Sequence, residues 1–275
     1  MIHRARYIVT GTVQGVGFRP FVYRAAAELS LAGFVQNSTD GGVIEAEGSR
    51  EALREFKERL AQSHPPLSRI HTIDELGIPP LNETSFSIVQ STDAGQGTVD
   101  ITPDSATCRM CVSELFDPHN RRYLYPFINC TDCGPRLTIV RDIPYDRKNT
   151  TMSCFPLCAE CSEEYTNPAD RRFHAEPNAC PACGPSLVLY DNGGRRVQTS
   201  HIFQYLCTRI KDGKIIAVKG IGGFHLCADA TQEDVVARLR QRKSREEKPL
   251  AIMVKDAAAA GRIAVLGPAE RHMLE

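Results

Sequence analysis

The chain has 275 residues, 33 of them Lys or Arg and 33 Asp or Glu, with 42% apolar residues and no Trp. That composition excludes a disordered or collagen-like chain and leaves room for two or three domains of roughly 100 to 200 residues. No apolar run approaches the roughly 18 residues of a bilayer span. The first ten residues carry His3, Arg4 and Arg6 with neither an apolar signal core nor a cleavage site, so a cytoplasmic location is expected. The balanced total hides an asymmetry: residues 1–91 carry nine basic and ten acidic side chains, residues 92–190 nine against thirteen, and residues 191–275 fifteen against ten. Only the last third favours a polyanion.

In chain order, residues 5–10 read as a strand, and Phe21, Val22, Ala25, Ala26 and Leu29 recur at helical spacing up to Gly33. Residues 34–37 and 43–47 read as strands joined by a turn containing Asp40-Gly41-Gly42. Leu53, Phe56 and Leu60 mark a second helix bounded by Pro65-Pro66, and residues 70–76 and 86–89 are weaker strand candidates. The order βαββαβ fits a ferredoxin-like α/β sandwich.

Between the first strand and helix lies Gly11-Thr12-Val13-Gln14-Gly15-Val16-Gly17-Phe18-Arg19. Glycines let successive backbone N–H groups turn inward around an anion at a helix N-terminus, and an Arg at the end of the loop can grip a phosphoryl oxygen. It is a phosphate cradle of its own kind: no Gly-Lys-Ser/Thr follows, and the third glycine of a dinucleotide fingerprint is missing. With Gly33-Phe34-Val35-Gln36-Asn37 and Asp40-Gly41, the loop resembles acylphosphatase over residues 1–91. The resemblance implies that Arg19 and the amides of Gly15, Val16, Gly17, Phe18 and Arg19 bind phosphate while Asn37 orients the attacking water. Acyl phosphate hydrolysis has a good leaving group, so charge neutralisation and a positioned nucleophile suffice without a side-chain base.

Residues 92–104, with Gly95, Gln96, Gly97 and Thr98, read as a flexible link. Beyond it, cysteine spacing dominates. Nine of the eleven Cys lie between 108 and 183, eight of them in four Cys-x-x-Cys pairs: Cys108/Cys111, Cys130/Cys133, Cys158/Cys161 and Cys180/Cys183. Adding 50 to each Cys of the first set gives the second, and the same register carries Pro118 onto Pro168, Arg121-Arg122-Tyr123 onto Arg171-Arg172-Phe173 and Gly134-Pro135 onto Gly184-Pro185. Each unit is too small to fold on buried apolar surface alone. Four thiolates on a tetrahedral Zn2+ supply roughly 10 to 16 kcal/mol in small fingers and leave no open position for water, so two structural zinc sites are expected over residues 105–189. Cys154, Cys207 and Cys227 remain, and Cys154 is expected to be a small core residue.

In the last third, residues 202–211 read as a helix ended by Gly213, and residues 215–218 as a short buried strand. Lys219-Gly220-Ile221-Gly222-Gly223-Phe224-His225 follows, then a helix over residues 235–242, Lys243-Ser244-Arg245, Lys248-Pro249-Leu250 and a second apolar strand up to Val254. Residues 190–199 read as a boundary. Lys and Arg converging near a Gly-rich turn suit phosphates, and the cluster resembles the opening of a YrdC/Sua5-like domain, which implies nucleotide binding by Lys219, Lys243, Arg245 and Lys248. About the first 75 residues of such a domain are present, so its pocket is expected to lack walls.

The order acylphosphatase, paired zinc repeats, YrdC-like start is similar to the hydrogenase maturation carbamoyltransferase family HypF, including Tyr125-Pro126-Phe127-Ile128-Asn129-Cys130 and Asp170-Arg171-Arg172-Phe173-His174. The resemblance implies an α+β multidomain chain. Its parts would be a ferredoxin-like βαββαβ acylphosphatase sandwich over 1–91, a linker over 92–104, tandem four-cysteine zinc-ribbon repeats over 105–189 and an incomplete α/β YrdC-like domain over 190–275. It implies an enzyme that hydrolyses carbamoyl phosphate or another small acyl phosphate. ATP and Mg2+, used to adenylate carbamate, and a partner protein carrying an acceptor Cys would belong to the full-length family, since no transferase domain is present here. The alternative reading is a zinc-ribbon and YrdC-like protein that binds double-stranded RNA, against which the acidic zinc segment weighs.

Overall fold

The computed structural model describes residues 2–65, 67–91 and 101–274. Pro66 of the expected helix stop and Gly95 to Thr98 of the expected link lie outside the described residues. The chain divides into two compact units, residues 1–187 and 188–275. Among the described residues no helix is long and apolar enough to cross a membrane.

The first unit opens with β1 (His3–Thr12), α1 (Phe18–Glu28), β2 (Ala32–Ser38), β3 (Gly41–Gly48), α2 (Arg50–Gln62), β4 (Arg69–Ile78) and β5 (Phe86–Ile88). The strands form one sheet in the order β4-β1-β3-β2-β5, antiparallel except for β5, which runs parallel to β2 at the edge. Both weak strand candidates of the sequence are therefore real, and they sit on opposite edges. Strand alternation sends Ala5, Tyr7 and Val9 to one face, where they meet Val22, Ala25 and Ala26 of α1 and Leu53, Phe56 and Leu60 of α2. Full burial of each large apolar side chain stabilises by about 1.5–3 kcal/mol. Tyr7 and Phe56 pack edge to face at 5.8 Å. The N-cap Ser49 accepts from the amide of Ala52 and fixes the start of α2.

On the other face, Arg4 is buried among carboxylates: its Nη2 and Nη1 lie 2.7 Å from Glu45 and 3.0 Å from Glu47, and Arg6 also holds Glu45. These pairs follow from register, since Arg4 stands opposite Glu47 and Arg6 opposite Glu45.

The cysteine-rich repeats carry α3 (Arg109–Phe116) and α4 (Ala159–Thr166), each starting directly after the first Cys of its set, so that Cys111 and Cys161 fall on the first turn. Their small core includes Tyr125, Ile128, Met152 and Ala179 around the thiols, and so draws on both repeats. Cys154 does not join it. It is exposed, and its thiol donates to the Thr151 carbonyl at 3.1 Å, because the short 3-10 turn Thr151–Cys154 buries Met152 instead. The flexible link expected over 92–104 also ends differently. Ile101 bridges to Gln14, the Thr102 hydroxyl donates to the Gln14 carbonyl, and Asp104 accepts from the amides of Arg136 and Thr138.

The second unit contains α5 (Ile202–Lys211), the antiparallel pair β6 (Ile216–Lys219) and β7 (Phe224–Cys227), and α6 (Glu233–Lys243). The strand expected to be buried is largely exposed, and the apolar run ending at Val254 forms no strand. A strand needs a neighbour that takes its backbone hydrogen bonds, and among the described residues neither β6 nor β7 pairs with this run. Among the described residues this sheet has two strands, and Ile252 and Met253 stay exposed.

Candidate active site and metal centres

β1 ends at Thr12 and α1 begins at Phe18, so residues 13–17 make the turn that carries the cradle. Gly15 and Gly17 have φ of 71° and 74°, a left-handed conformation that costs other residues about 1 kcal/mol or more. A Cβ on Gly15 would also stand 3.0 Å from the Arg136 side chain and 3.2 Å from the Tyr145 ring. Gln14, buried, locks the turn to the β2–β3 hairpin by donating to the carbonyls of Ser38 at 2.7 Å and Gly41 at 3.0 Å. Its Oε1 accepts from the Tyr145 amide at 2.7 Å.

Arg19, in the first turn of α1, is 8% exposed, and Asn37, near the end of β2, is 1% exposed. The fold brings them together: Arg19 Nη2 lies 3.5 Å and Asn37 Nδ2 3.4 Å from the same Tyr145 carbonyl. Contacts of that length are weak. Among the described residues the Asn37 Oδ1 is buried without a hydrogen-bond partner, the position of an acceptor still able to orient a water.

The cysteine-rich segment covers this turn. Arg136, 2% exposed, donates from Nε to the Gly15 carbonyl, from Nη1 to Cys133 and Pro135, and from Nη2 to Cys130 and Thr131, all backbone oxygens. Arg19 is gripped by two carboxylates, Asp146 Oδ1 at 2.8 Å on Nη1 and Glu176 Oε1 at 2.6 Å on Nη2. Burial pulls the Arg19 pKa down, but Glu176 and Asp146 together outweigh it and the net shift is upward. Burial, with Asp146 adding to it, pushes the Glu176 carboxyl up against the opposing pull of Arg19. His174 also lines the site, and burial reinforced by Arg19 lowers it to about 4, so it is neutral near pH 7. The space between the turn and its cover is about 20 Å3, room for about one water.

Sequence reasoning named Arg19, Asn37 and the turn, which the fold brings together, and did not name Gln14 as a lock, or Arg136, Tyr145, Asp146, His174 and Glu176 as cover. A signal was available in the 50-residue repeat. Where the two copies agree they build each other. Four of the positions where they differ line the turn: Arg136 corresponds to Ser186, Thr131 to Pro181, His174 to Leu124 and Glu176 to Pro126.

Cys108, Cys111, Cys130 and Cys133 form one cluster of thiols and Cys158, Cys161, Cys180 and Cys183 another, each with its sulfurs within 4.8 Å of one another. Sulfur pairs stand 3.6–3.8 Å apart. That is too long for disulfides, about 2.05 Å, and matches the edge of a tetrahedron with metal–sulfur bonds of about 2.3 Å. The donor set fits Zn2+, which would carry two net negative charges with four thiolates. Each repeat supplies the counter-charge of the other. Arg171 Nη2 lies 3.0–3.1 Å from the sulfurs of Cys108, Cys111 and Cys130, and Arg121 Nη2 lies 3.2 Å from Cys161. Arg172 donates to the Asn129 carbonyl at 3.0 Å and Arg122 to that of Ala179 at 2.9 Å, again one register apart.

Three family models match the chain: Acylphosphatase over residues 5–88, HypF finger over 107–140 and 157–190, and Telomere recombination over 208–275. The chain is 53% identical over 274 residues to carbamoyltransferase HypF2 of Cupriavidus necator, covering 98% of itself and 34% of that protein. It is 51% identical over 246 residues to carbamoyltransferase HypF of Synechocystis, covering 89% of itself and 32% of that protein. A crystal structure of full-length HypF in the phosphate- and nucleotide-bound form superposes with a TM-score of 0.92 at 42% identity, over 100% of this chain and 36% of the other. The chain belongs to the HypF family. It spans about a third of the length of the HypF proteins it matches. The acylphosphatase match ends at residue 88, so the Asp146 and Glu176 that hold Arg19 come from outside it, Glu176 from within the second HypF finger match.

In the partial YrdC-like unit, Lys219 ends β6 with its Nζ 4.9 Å from the centre of the Phe224 ring. Lys243 closes α6 and Ser244 follows in a left-handed conformation. Arg245 donates to the Pro249 carbonyl at 2.6 Å, while among the described residues its buried Nε has no partner. Arg240 holds the carbonyls of Arg245, Glu246 and Lys248 and so shapes the basic turn.

Proposed function

We propose that the chain hydrolyses a small acyl phosphate, carbamoyl phosphate in the setting of its family, at the turn between β1 and α1. Arg19 and the amides of residues 15–19 take the phosphoryl oxygens and neutralise the charge on the phosphoryl group under attack. Asn37 Oδ1 accepts from a water and points its lone pair at the substrate. With carbamoyl phosphate as its dianion, water enters, the C–O–P anhydride breaks, carbamate leaves with one negative charge, and both water protons depart on dihydrogen phosphate. The convergence of Arg19 and Asn37 on one carbonyl supports this reading.

Two Zn2+ held by the eight clustered cysteines act structurally: four thiolates fill each shell, leaving no site for substrate. In the longer HypF proteins the carbamate would be adenylated with ATP and Mg2+ and passed to a Cys of a partner protein during hydrogenase maturation. Lys219, Lys243, Arg245 and Lys248 of this chain would contribute to the nucleotide's phosphate site. The domain division of this reading is 1–91, 92–104, 105–189 and 190–275. Phosphate release from carbamoyl phosphate and from benzoyl phosphate, compared between the chain and its Arg19→Ala variant, tests the site. Release by the variant at the unaltered rate refutes it.

A further inference from the structure

Arg19 has two carboxylates on it, and they are not equivalent. The Glu176 side chain is 1% exposed. While its Oε1 takes Arg19, its Oε2 accepts from the Tyr165 hydroxyl and the Arg147 amide, both at 2.8 Å. The Glu176 carbonyl also takes Arg147 Nη1 at 2.5 Å, so side chain and backbone are held together. The Asp146 side chain is 16% exposed, and among the described residues its carboxylate has no hydrogen-bond partner besides Arg19. A dianionic phosphoryl group and two carboxylates around one buried guanidinium would leave a large uncompensated negative charge. One carboxylate must yield, and the difference in anchoring says which.

Resting on the phosphate-site reading above, we propose that Asp146 is an exchangeable stand-in for the phosphoryl group on Arg19 Nη1, and that Glu176 is a positioning residue that keeps Nη2 and holds the guanidinium in place while substrate is bound. Substrate entry is then a one-for-one exchange of oxygen ligands on Nη1. The Tyr165 hydroxyl and the Arg147 amide, which stay on Glu176, keep it from following Asp146 away.

The two carboxylates, though on one guanidinium, thus give opposite predictions. Asp146→Asn removes the competing charge: inorganic phosphate, measured by calorimetry and as a product inhibitor, binds about tenfold tighter, and KM falls with kcat little changed. Glu176→Gln loosens the guanidinium: phosphate binding weakens, and kcat falls about tenfold or more. If Glu176→Gln fails to fold, judged by zinc content and thermal unfolding, Tyr165→Phe replaces it, with a smaller change in the same direction. Tightening by both Asp146→Asn and Glu176→Gln, or phosphate binding unchanged or weakened by Asp146→Asn, overturns the proposal. Phosphate binding that depends on Arg19 but on neither carboxylate sinks this assignment alone. An Arg19→Ala variant that binds phosphate as well as the parent, or a parent chain that binds none, sinks the phosphate-site reading and this proposal with it.

Discussion

Arg171 of the second finger lies 2.6 Å from Glu114 of the first, and fifty residues back along the chain Arg121 of the first lies 2.7 Å from Glu164 of the second. The pair of arginines that repeats in sequence is thus exchanged in space, each guanidinium serving the other copy's thiols. Removing one should be felt at the partner cluster. In Arg171→Ala, zinc release to a colorimetric chelator is expected to show one of the two metals leaving several-fold faster than in the parent chain, since the first cluster loses its neutralising charge. Equal release kinetics in the two proteins would contradict this.

Asn37→Ala removes the acceptor proposed to orient water while leaving Arg19 and the turn in place. The expected result is a fall in kcat of about a hundredfold, the scale of losing a positioned reactant, with KM nearly unchanged. Steady-state phosphate release from benzoyl phosphate measures it.

Gly15→Ala forces a β-carbon into a left-handed residue and against Arg136 and Tyr145. Destabilisation of about 1–3 kcal/mol is expected, with loss of activity because the cradle must open to relieve the contact. Gly222→Ala, where a Cβ would meet nothing within 4 Å, serves as the control, and calorimetric unfolding compares them.

Glu45 supplies a pH dependence. Burial alone would raise its pKa, but hydrogen bonds from Arg4 and Arg6 overcome that and hold it below its ordinary 4.5. A carboxylate with a depressed folded pKa contributes stability that is complete above about 4.5 and is lost as pH falls through the lower, folded value. The protection factors of the β1 and β3 amides, taken relative to the intrinsic exchange rate at each pH, should therefore fall as the pH drops below about 4.5. In Glu45→Gln, protection should be lower at about pH 6 and respond less to acid.

Much of the fold was legible because its signals are local. Alternation in β1, helical spacing of Leu53, Phe56 and Leu60, and the strict 50-residue register each report on neighbours within a few residues or on a repeat. The candidate site was half legible for the same reason. The turn and Arg19 are contiguous in sequence, and Asn37 comes through family resemblance. Asp146 and Glu176 lie 127 and 157 residues from Arg19, and nothing in either local sequence names an arginine as its partner. Only the departure of the second copy from the first marked Glu176. The short strand Ile216–Lys219 is exposed where burial was expected, because four apolar residues in a row say nothing about how many neighbours a sheet will have.

Arg136 spends every donor on main-chain oxygens, four of them in the first finger and one in the Gly15 turn. Two of its acceptors, Cys130 and Cys133, belong to residues whose sulfurs join the first thiol cluster. Any slackening of that cluster is transmitted through one side chain to the backbone of the Gly15 turn, so the shape of the turn is tied to four thiols that do not touch it.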